Sequence, residues 1–327
     1  MPTACVLLRQ VPPFALVLLL LFAAPAHADT KVTLLVPSWA NIEAPPPAPT
    51  DAKAPTDAKA PPPAPAPNGT TAASPPPARP EGNGEPAIAA PDIGEEVDVL
   101  ITMMHPFRYE GLVIDMPQLF AVLRYDDKTP AKDGVLHPER KDLLGDVEEI
   151  RYLDKKAWGA NVGLSRPGLY HFLIEARPWW DASRDCYIQH SVKTMLPVYG
   201  VERGWDSPAG QHFEVLPLTR PFGLLSPALF SGKVMLNGAP LPHATVRMSR
   251  LNMDRTAVPT PWNEELAAAS DSNGTFSFVL NQPGWWCCIA LTQGEPLKGP
   301  DGEMRPLEIG ALVWLYVDAP MTEAKKK

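Results

Sequence analysis

A basic excess, recognisable catalytic motifs and helical periodicity are all missing from this chain, and each absence removes a class of function. Its 29 lysines and arginines are outnumbered by 37 aspartates and glutamates, a net charge of −8. Nothing therefore draws it to a phosphate backbone, and nucleic-acid binding is excluded. There is no G-x-S-x-G elbow, no H-E-x-x-H pair, no phosphate-binding loop and no paired C-x-x-C. With no nucleophile–base pair in view, the chain does not read as an enzyme. Apolar runs are short as well. The stretch Phe14–Ala24 falls below the roughly 20 residues that span a bilayer core of about 30 Å. The chain is not expected to span a membrane once its leader is removed.

That stretch has a different reading. Arg9 precedes it and small residues follow, the pattern of a secretory signal over residues 1–28. Two small-x-small sites fit. Ala26-His27-Ala28 directs cleavage before Asp29 and is preferred; Ala24-Pro25-Ala26 directs it before His27. The second cut would leave His27 with a free amine and an imidazole, a chelating pair for a divalent ion. Cys5 leaves with the signal, so the mature chain carries Cys186, Cys287 and Cys288. An odd count leaves at least one thiol unpaired. Cys287 and Cys288, adjacent in an expected strand, point to opposite faces.

The 41 prolines are unevenly placed. Sixteen fall between Glu43 and Asp92, where there is no aromatic residue and a single isoleucine. Such a segment cannot bury enough apolar surface to offset its ordering entropy, so residues 43–94 read as a disordered Pro/Ala-rich linker. Ahead of it, Lys31–Pro37 is a short apolar run, and residues 29–42 are expected to supply the first strand of a domain resuming at 95. Val97, Val99, Ile101 and Met103 then alternate with polar residues at strand period. Leu119–Arg124, Tyr170–Glu175 and Tyr187–Lys193 read as further strands. Residues 95–218 are predicted to form an N-terminal β-sandwich.

Residues 219–319 are predicted to form a second sandwich, followed by a basic tail at 320–327. Asn237-Gly238 is a hairpin signal, Asp271–Gly274 an ordinary turn, and Phe276, Phe278 and Leu280 share a strand face. Gly232-Lys233-Val234, Asn237-Gly238-Ala239-Pro240-Leu241, Ala244-Thr245-Val246 and the later Gly274-Thr275-Phe276 resemble the transthyretin-like, or carboxypeptidase-regulatory-like, β-sandwich. The fold class is all-β: two sandwiches with a Pro-rich insertion in the first.

Among residues able to carry chemistry, His105 stands before Pro106, which favours extended geometry. This places the imidazole at a strand end, either as a soft metal ligand at the sandwich rim or as a half-buried group bonded to a loop carbonyl. In Asp185-Cys186-Tyr187-Ile188-Gln189-His190, strand parity puts Cys186 and His190 on one face, too far apart to chelate without a third element. Trp179-Trp180 is either a stacking platform for a sugar or packing. Trp285-Trp286 reads as core.

Several of these pieces also carry a likeness. Leu34-Leu35-Val36-Pro37-Ser38, Met104-His105-Pro106-Phe107, Arg166-Pro167-Gly168-Leu169-Tyr170, Pro178-Trp179-Trp180, Asp185–His190, Gly204-Trp205-Asp206, Leu218–Leu224 and Gly284-Trp285-Trp286 together resemble a family of periplasmic proteins, classed as a domain of unknown function. That family is commonly described as the periplasmic component of nickel/cobalt transport systems. The resemblance implies a periplasmic, non-catalytic accessory of a metal uptake system. Its cofactor would be a nickel or cobalt ion and its partners membrane metal-transporter subunits. His105 would lead the ligand set, with His190 and Asp185 secondary and Met116 a soft ligand. The other reading is a two-sandwich module without metal, binding a protein or a glycan through Trp179 and Trp180.

Overall fold

The computed structural model describes residues 30–44 and 94–321. The signal segment with both cleavage sites and His27, nearly all of the Pro-rich linker, and most of the basic tail lie outside the described residues. The described chain is built from strands and turns, with two 3₁₀ turns, Leu144–Asp146 and Pro261–Asn263. An all-β sandwich architecture is what the strand-period alternation and the frequent Pro and Gly required.

Three layers carry the fold. The first sheet orders β1 (Val32–Pro37), β2 (Glu95–His105), β7 (Lys155–Leu164) and β6 (Glu148–Tyr152), with β3 (Glu110–Leu112) against the end of β2. The expected first strand does pair across the linker, antiparallel to β2, with Leu35 opposite Ile101. The central sheet has ten strands. Its main path runs β14 (Leu266–Ala269), β13 (Thr245–Arg250), β16 (Gly284–Gln293), β17 (Leu307–Asp318), β10 (Cys186–Val198), β8 (Gly168–Glu175), β4 (Leu119–Tyr125) and β5 (Glu139–Asp142), and β9 (Trp179–Asp181) lies against β10. The third sheet holds β11 (Phe213–Pro217), β12 (Ala228–Leu236) and β15 (Thr275–Leu280).

The joint in the central sheet is the parallel pairing of β10 with β17, Tyr187 to Thr194 against Leu307 to Trp314. Strands from both halves of the sequence thus form one surface, buried on both sides. Successive side chains alternate between the two cores. Cys287, Ile289, Leu312 and Trp314 enter the core under the first sheet; Cys288, Ala290, Ala311, Val313 and Leu315 enter the core under the third. Adjacent Cys287 and Cys288 point apart as strand parity requires, and all three described cysteines are free and buried. The Trp314 indole donates to the Thr33 carbonyl at 2.9 Å, tying the last strand to the first. Likewise β11, which precedes the expected boundary at 218/219, pairs with β12 beyond it.

Turn chemistry follows the sequence signals. Asn237 and Gly238 both take positive φ at the tip of a hairpin, the conformation a two-residue turn with the strands' own twist demands. The Asp271 carboxylate accepts the backbone N–H groups of Asn273 and Thr275 at 2.8 and 2.7 Å, both on Oδ1, and so closes the turn. A third, smaller core around Tyr125, Leu169, Leu173 and Met195 lies on the outer side of β4, β8 and β10, beneath the segment that joins β10 to β11. Gly204 in that segment has φ of 95°, and a Cβ there would stand 2.4 Å from the Tyr125 ring. Only glycine lets the segment lie flat on Tyr125.

Candidate functional site

The residues nominated from the sequence are dispersed by the fold. His105 closes β2, opposite Glu110 of β3, and is buried. Met103 and Met104 beside it are also buried, because this end of β2 is covered on both sides. His190 lies in the middle of the central sheet. Its Nδ1 shares a hydrogen bond of 3.0 Å with the Thr33 hydroxyl, and the edge of Trp179 meets its ring with centroids 4.7 Å apart. Burial, with Arg184 as a smaller contribution, pulls the imidazole down to about 3, so it is neutral at any ordinary pH. Gly310 faces it across the β10–β17 pairing, where a Cβ would come within 2.6 Å of the ring.

Asp185 sits at a turn with φ of 50° and is exposed. Met116 is half-buried, and its carbonyl accepts the Arg177 guanidinium at 3.1 Å. Among the described residues no group of three or more His, Cys, Asp or Glu side chains is placed to hold a metal ion. His105, His190 and Asp185 are thus not brought together. The two tryptophans part company as well. Trp179 covers His190, while Trp180, 40% exposed, stands edge-on to Tyr187 with the Arg305 guanidinium 5.9 Å from its ring centre.

A different place gathers polar groups. A cleft of about 700 Å³ opens where β13, β14 and β17 meet the turn between β9 and β10 and the start of β1. Two ion pairs lie along it. Arg184 forms a two-pronged contact with Glu308, one prong of 2.6 Å from Nη1 to Oε1 and the other from Nη2 to Oε2. The Arg247 Nη1 donates to Glu265 Oε1 and to the Thr30 hydroxyl, each at 2.8 Å. Glu265 is nearly buried, and its second oxygen accepts the Ser249 hydroxyl at 3.2 Å. The Arg247 Nε is buried with no hydrogen-bond partner among the described residues. Next to the β1 end of the cleft, Lys31 donates to the Asp181 carboxylate at 2.7 Å. Burial works against that carboxylate, but the bonds from Lys31 and Ser183 outweigh it and hold its pKa below the usual range.

Trp262 forms the rim of the cleft. It rides on the 3₁₀ turn Pro261–Asn263 and is 76% exposed, the most open tryptophan among the described residues. Pro261 presets the turn's first φ, and the Thr260 hydroxyl bonds Asn263 at 2.7 Å, so the indole is carried on a fixed support. Sequence reasoning missed this site. Its one legible trace is a lone tryptophan in the polar loop after Asp254, with no apolar periodicity to assign it to a core. The Arg184–Glu308 pair left no trace, because partners 124 residues apart meet only through the sheet.

The family model for a domain of unknown function, DUF4198, matches residues 85–294. The chain belongs to this family. No curated protein matches the DUF4198 chain. Similar solved structures include the teleost fish polymeric Ig receptor ectodomain, 11% identical over 70% of this chain and 94% of that one, with a TM-score of 0.17. They also include trypsin-activated alpha-2-macroglobulin from Escherichia coli, 12% identical over 68% and 14%, at 0.17. BcpA, the major pilin subunit of Bacillus cereus, is 11% identical over 73% and 66%, at 0.15. Scores this low carry no argument about fold or function.

Proposed function

We propose that this DUF4198 protein is an exported, non-catalytic binding module whose working face is the cleft between Trp262 and the Arg184–Glu308 and Arg247–Glu265 pairs. One observation carries the reading. A tryptophan exposed at 76% lines the same cleft as two arginines, each paired with a glutamate. Fixed polar groups beside an open aromatic face make a recognition surface, since they hold direction without ordering cost on binding. Capture rather than conversion is the chemistry this reading gives the cleft.

The test uses the whole mature chain and its Trp262→Ala variant. Tryptophan fluorescence is followed while cell-envelope extract, separated into protein and glycan fractions, is added. A fraction that changes the emission of the parent chain and not of the variant supports the cleft. Equal responses of the two chains to every fraction overturn it.

A second reading is favoured by the motif resemblance, which runs through Met104-His105-Pro106-Phe107 and Asp185–His190. In it the protein is a periplasmic accessory of nickel or cobalt uptake that hands the ion to membrane transporter subunits, with His105 as lead ligand. Calorimetric titration of nickel and cobalt into the mature chain, repeated with His105→Ala, decides it. Absence of binding at micromolar metal, or binding unchanged in the variant, removes His105 from any direct metal role.

A further inference from the structure

The ligand class of this cleft can be argued from its charge balance and its geometry, on the reading that the cleft is the working face. We infer that it takes a neutral, hydroxyl-rich ring, a saccharide unit of a glycan, stacked on Trp262 and hydrogen-bonded by Arg247.

Charge is the first selector. Arg184 and Arg247 are each tied to a carboxylate, Glu308 and Glu265. An anionic ligand brought to either guanidinium meets the glutamate beside it, and a cation brought to either glutamate meets the arginine. The paired floor therefore penalises net charge of both signs and leaves neutral polar ligands favoured. Shape is the second. The cleft of about 700 Å³ lies within the usual range of small-ligand sites, roughly 300–1,000 Å³. Its lining combines a flat indole and aliphatic groups, Leu241, Pro242 and Leu291 among them, with the two ion pairs. A sugar ring has matching surfaces, with C–H groups on its face and hydroxyls around its edge.

Direction is the third. An arginine held by a carboxylate is a planar donor with its orientation already fixed. The Arg247 Nη1 is occupied by Glu265 and Thr30 and its Nε is shut away from solvent, so on a side chain 36% exposed the outer Nη2 is the donor left to the cleft. A donor on a guanidinium already held in place offers an incoming acceptor a bond at little ordering cost. A hydroxyl oxygen is an acceptor of the right kind, and the hydroxyl can in turn donate to a neighbouring carboxylate or threonine.

The experiment titrates the mature chain with maltohexaose, cellohexaose and chitohexaose by isothermal calorimetry, alongside Trp262→Ala, Arg247→Lys and Trp180→Ala. At least one neutral oligosaccharide is expected to bind. Trp262→Ala should weaken it about tenfold, the scale of one lost aromatic contact. Arg247→Lys keeps a positive charge beside Glu265 but loses the outer Nη2 donor, and should weaken binding at a temperature where circular dichroism shows the variant still folded. Trp180→Ala should leave affinity unchanged. Binding of none of the three at millimolar concentration overturns the saccharide assignment, as does binding indifferent to Trp262→Ala. If a protein fraction of the envelope still quenches Trp262 in the parent chain, only the ligand class has failed and the cleft stands. Silence from both sets of ligands removes the cleft itself.

Discussion

Acidification should destabilise this protein well before its carboxylates begin to titrate, because two histidines are buried as neutral rings. His190 and His171 are 1% and 0% exposed. Burial is the main cause that lowers both, with Arg184 adding to it at His190 and Lys193 at His171. For a base whose folded pKa is depressed, the unfolded chain binds more protons between the folded value and the ordinary 6.5, so stability falls as pH falls through that interval. Each such histidine removes about 1.4 kcal/mol per pH unit. At pH 5 His190 alone, with its folded value near 3, costs about 2 kcal/mol. His171 acts in the same direction and adds to that cost, against the roughly 5–15 kcal/mol typical of a domain. The depressed carboxylates Asp126 and Asp181 do not confuse the window, since their stabilisation is lost only below their ordinary 3.8. The assay is urea unfolding at several pH values between 7.5 and 5, on the parent chain and on His171→Leu. Neither His171 nitrogen has a hydrogen-bond partner among the described residues. Leucine therefore removes the titrating ring without orphaning a neighbour, and should lower the slope of stability against pH. A flat profile for the parent chain, or an unchanged slope in the variant, would refute the reasoning.

Three further outcomes follow from the geometry. Gly310→Ala drives a methyl group into the His190 ring, with 2.6 Å to Cδ2, and should cost about 1–3 kcal/mol by overpacking; His190→Ala in the same chain should recover part of it in a double-mutant cycle by denaturation. The Lys193 ammonium, fully buried, donates to Glu214 at 2.9 Å, and Glu214 also accepts the N–H groups of Ala209 and Gly210. Lys193→Met alone should therefore cost about 3–5 kcal/mol by stranding a buried carboxylate, and adding Glu214→Gln should restore more stability than adding Glu214→Leu, because glutamine keeps an acceptor for the two amides. Finally, Tyr199 grips both ends of the linker, its N–H donating to the Ile42 carbonyl at 2.8 Å and its hydroxyl to Glu95 at 3.2 Å. Replacing residues 44–91 by a four-residue linker, which reaches about 14 Å extended, should leave the thermal midpoint nearly unchanged; unfolding of that deletion would show that the linker contributes to the fold.

What could be read from the sequence was whatever local chemistry governs. Alternation at period 2 in Val97–Met103 and in Phe276–Leu280 marked strands with one buried face, and Asn237-Gly238 marked a hairpin, since φ above zero at both positions is a property of those residues. Parity alone sent Cys287 and Cys288 to opposite sides. The run Lys31–Pro37, too apolar to stay in water, had to pair beyond the linker, and it does so with β2.

The sequence had no means of announcing which strands would meet from its two halves. The parallel pairing of β10 with β17 joins residues more than 100 positions apart, and it fuses the two expected sandwiches through one central sheet. That pairing buries His190 and makes Gly310 its neighbour, turning a nominated ligand into a packed neutral ring held by Thr33 and Trp179. It also brings Arg184 to Glu308 and sets both near Arg247, Thr30 and Trp262, residues with no spacing in common. Composition and periodicity determined that the chain would be β-rich and interrupted by a proline-rich linker, because those follow from backbone preference and burial. The cleft was decided only by tertiary pairing, because side chains remote along the chain become neighbours when their strands share a sheet.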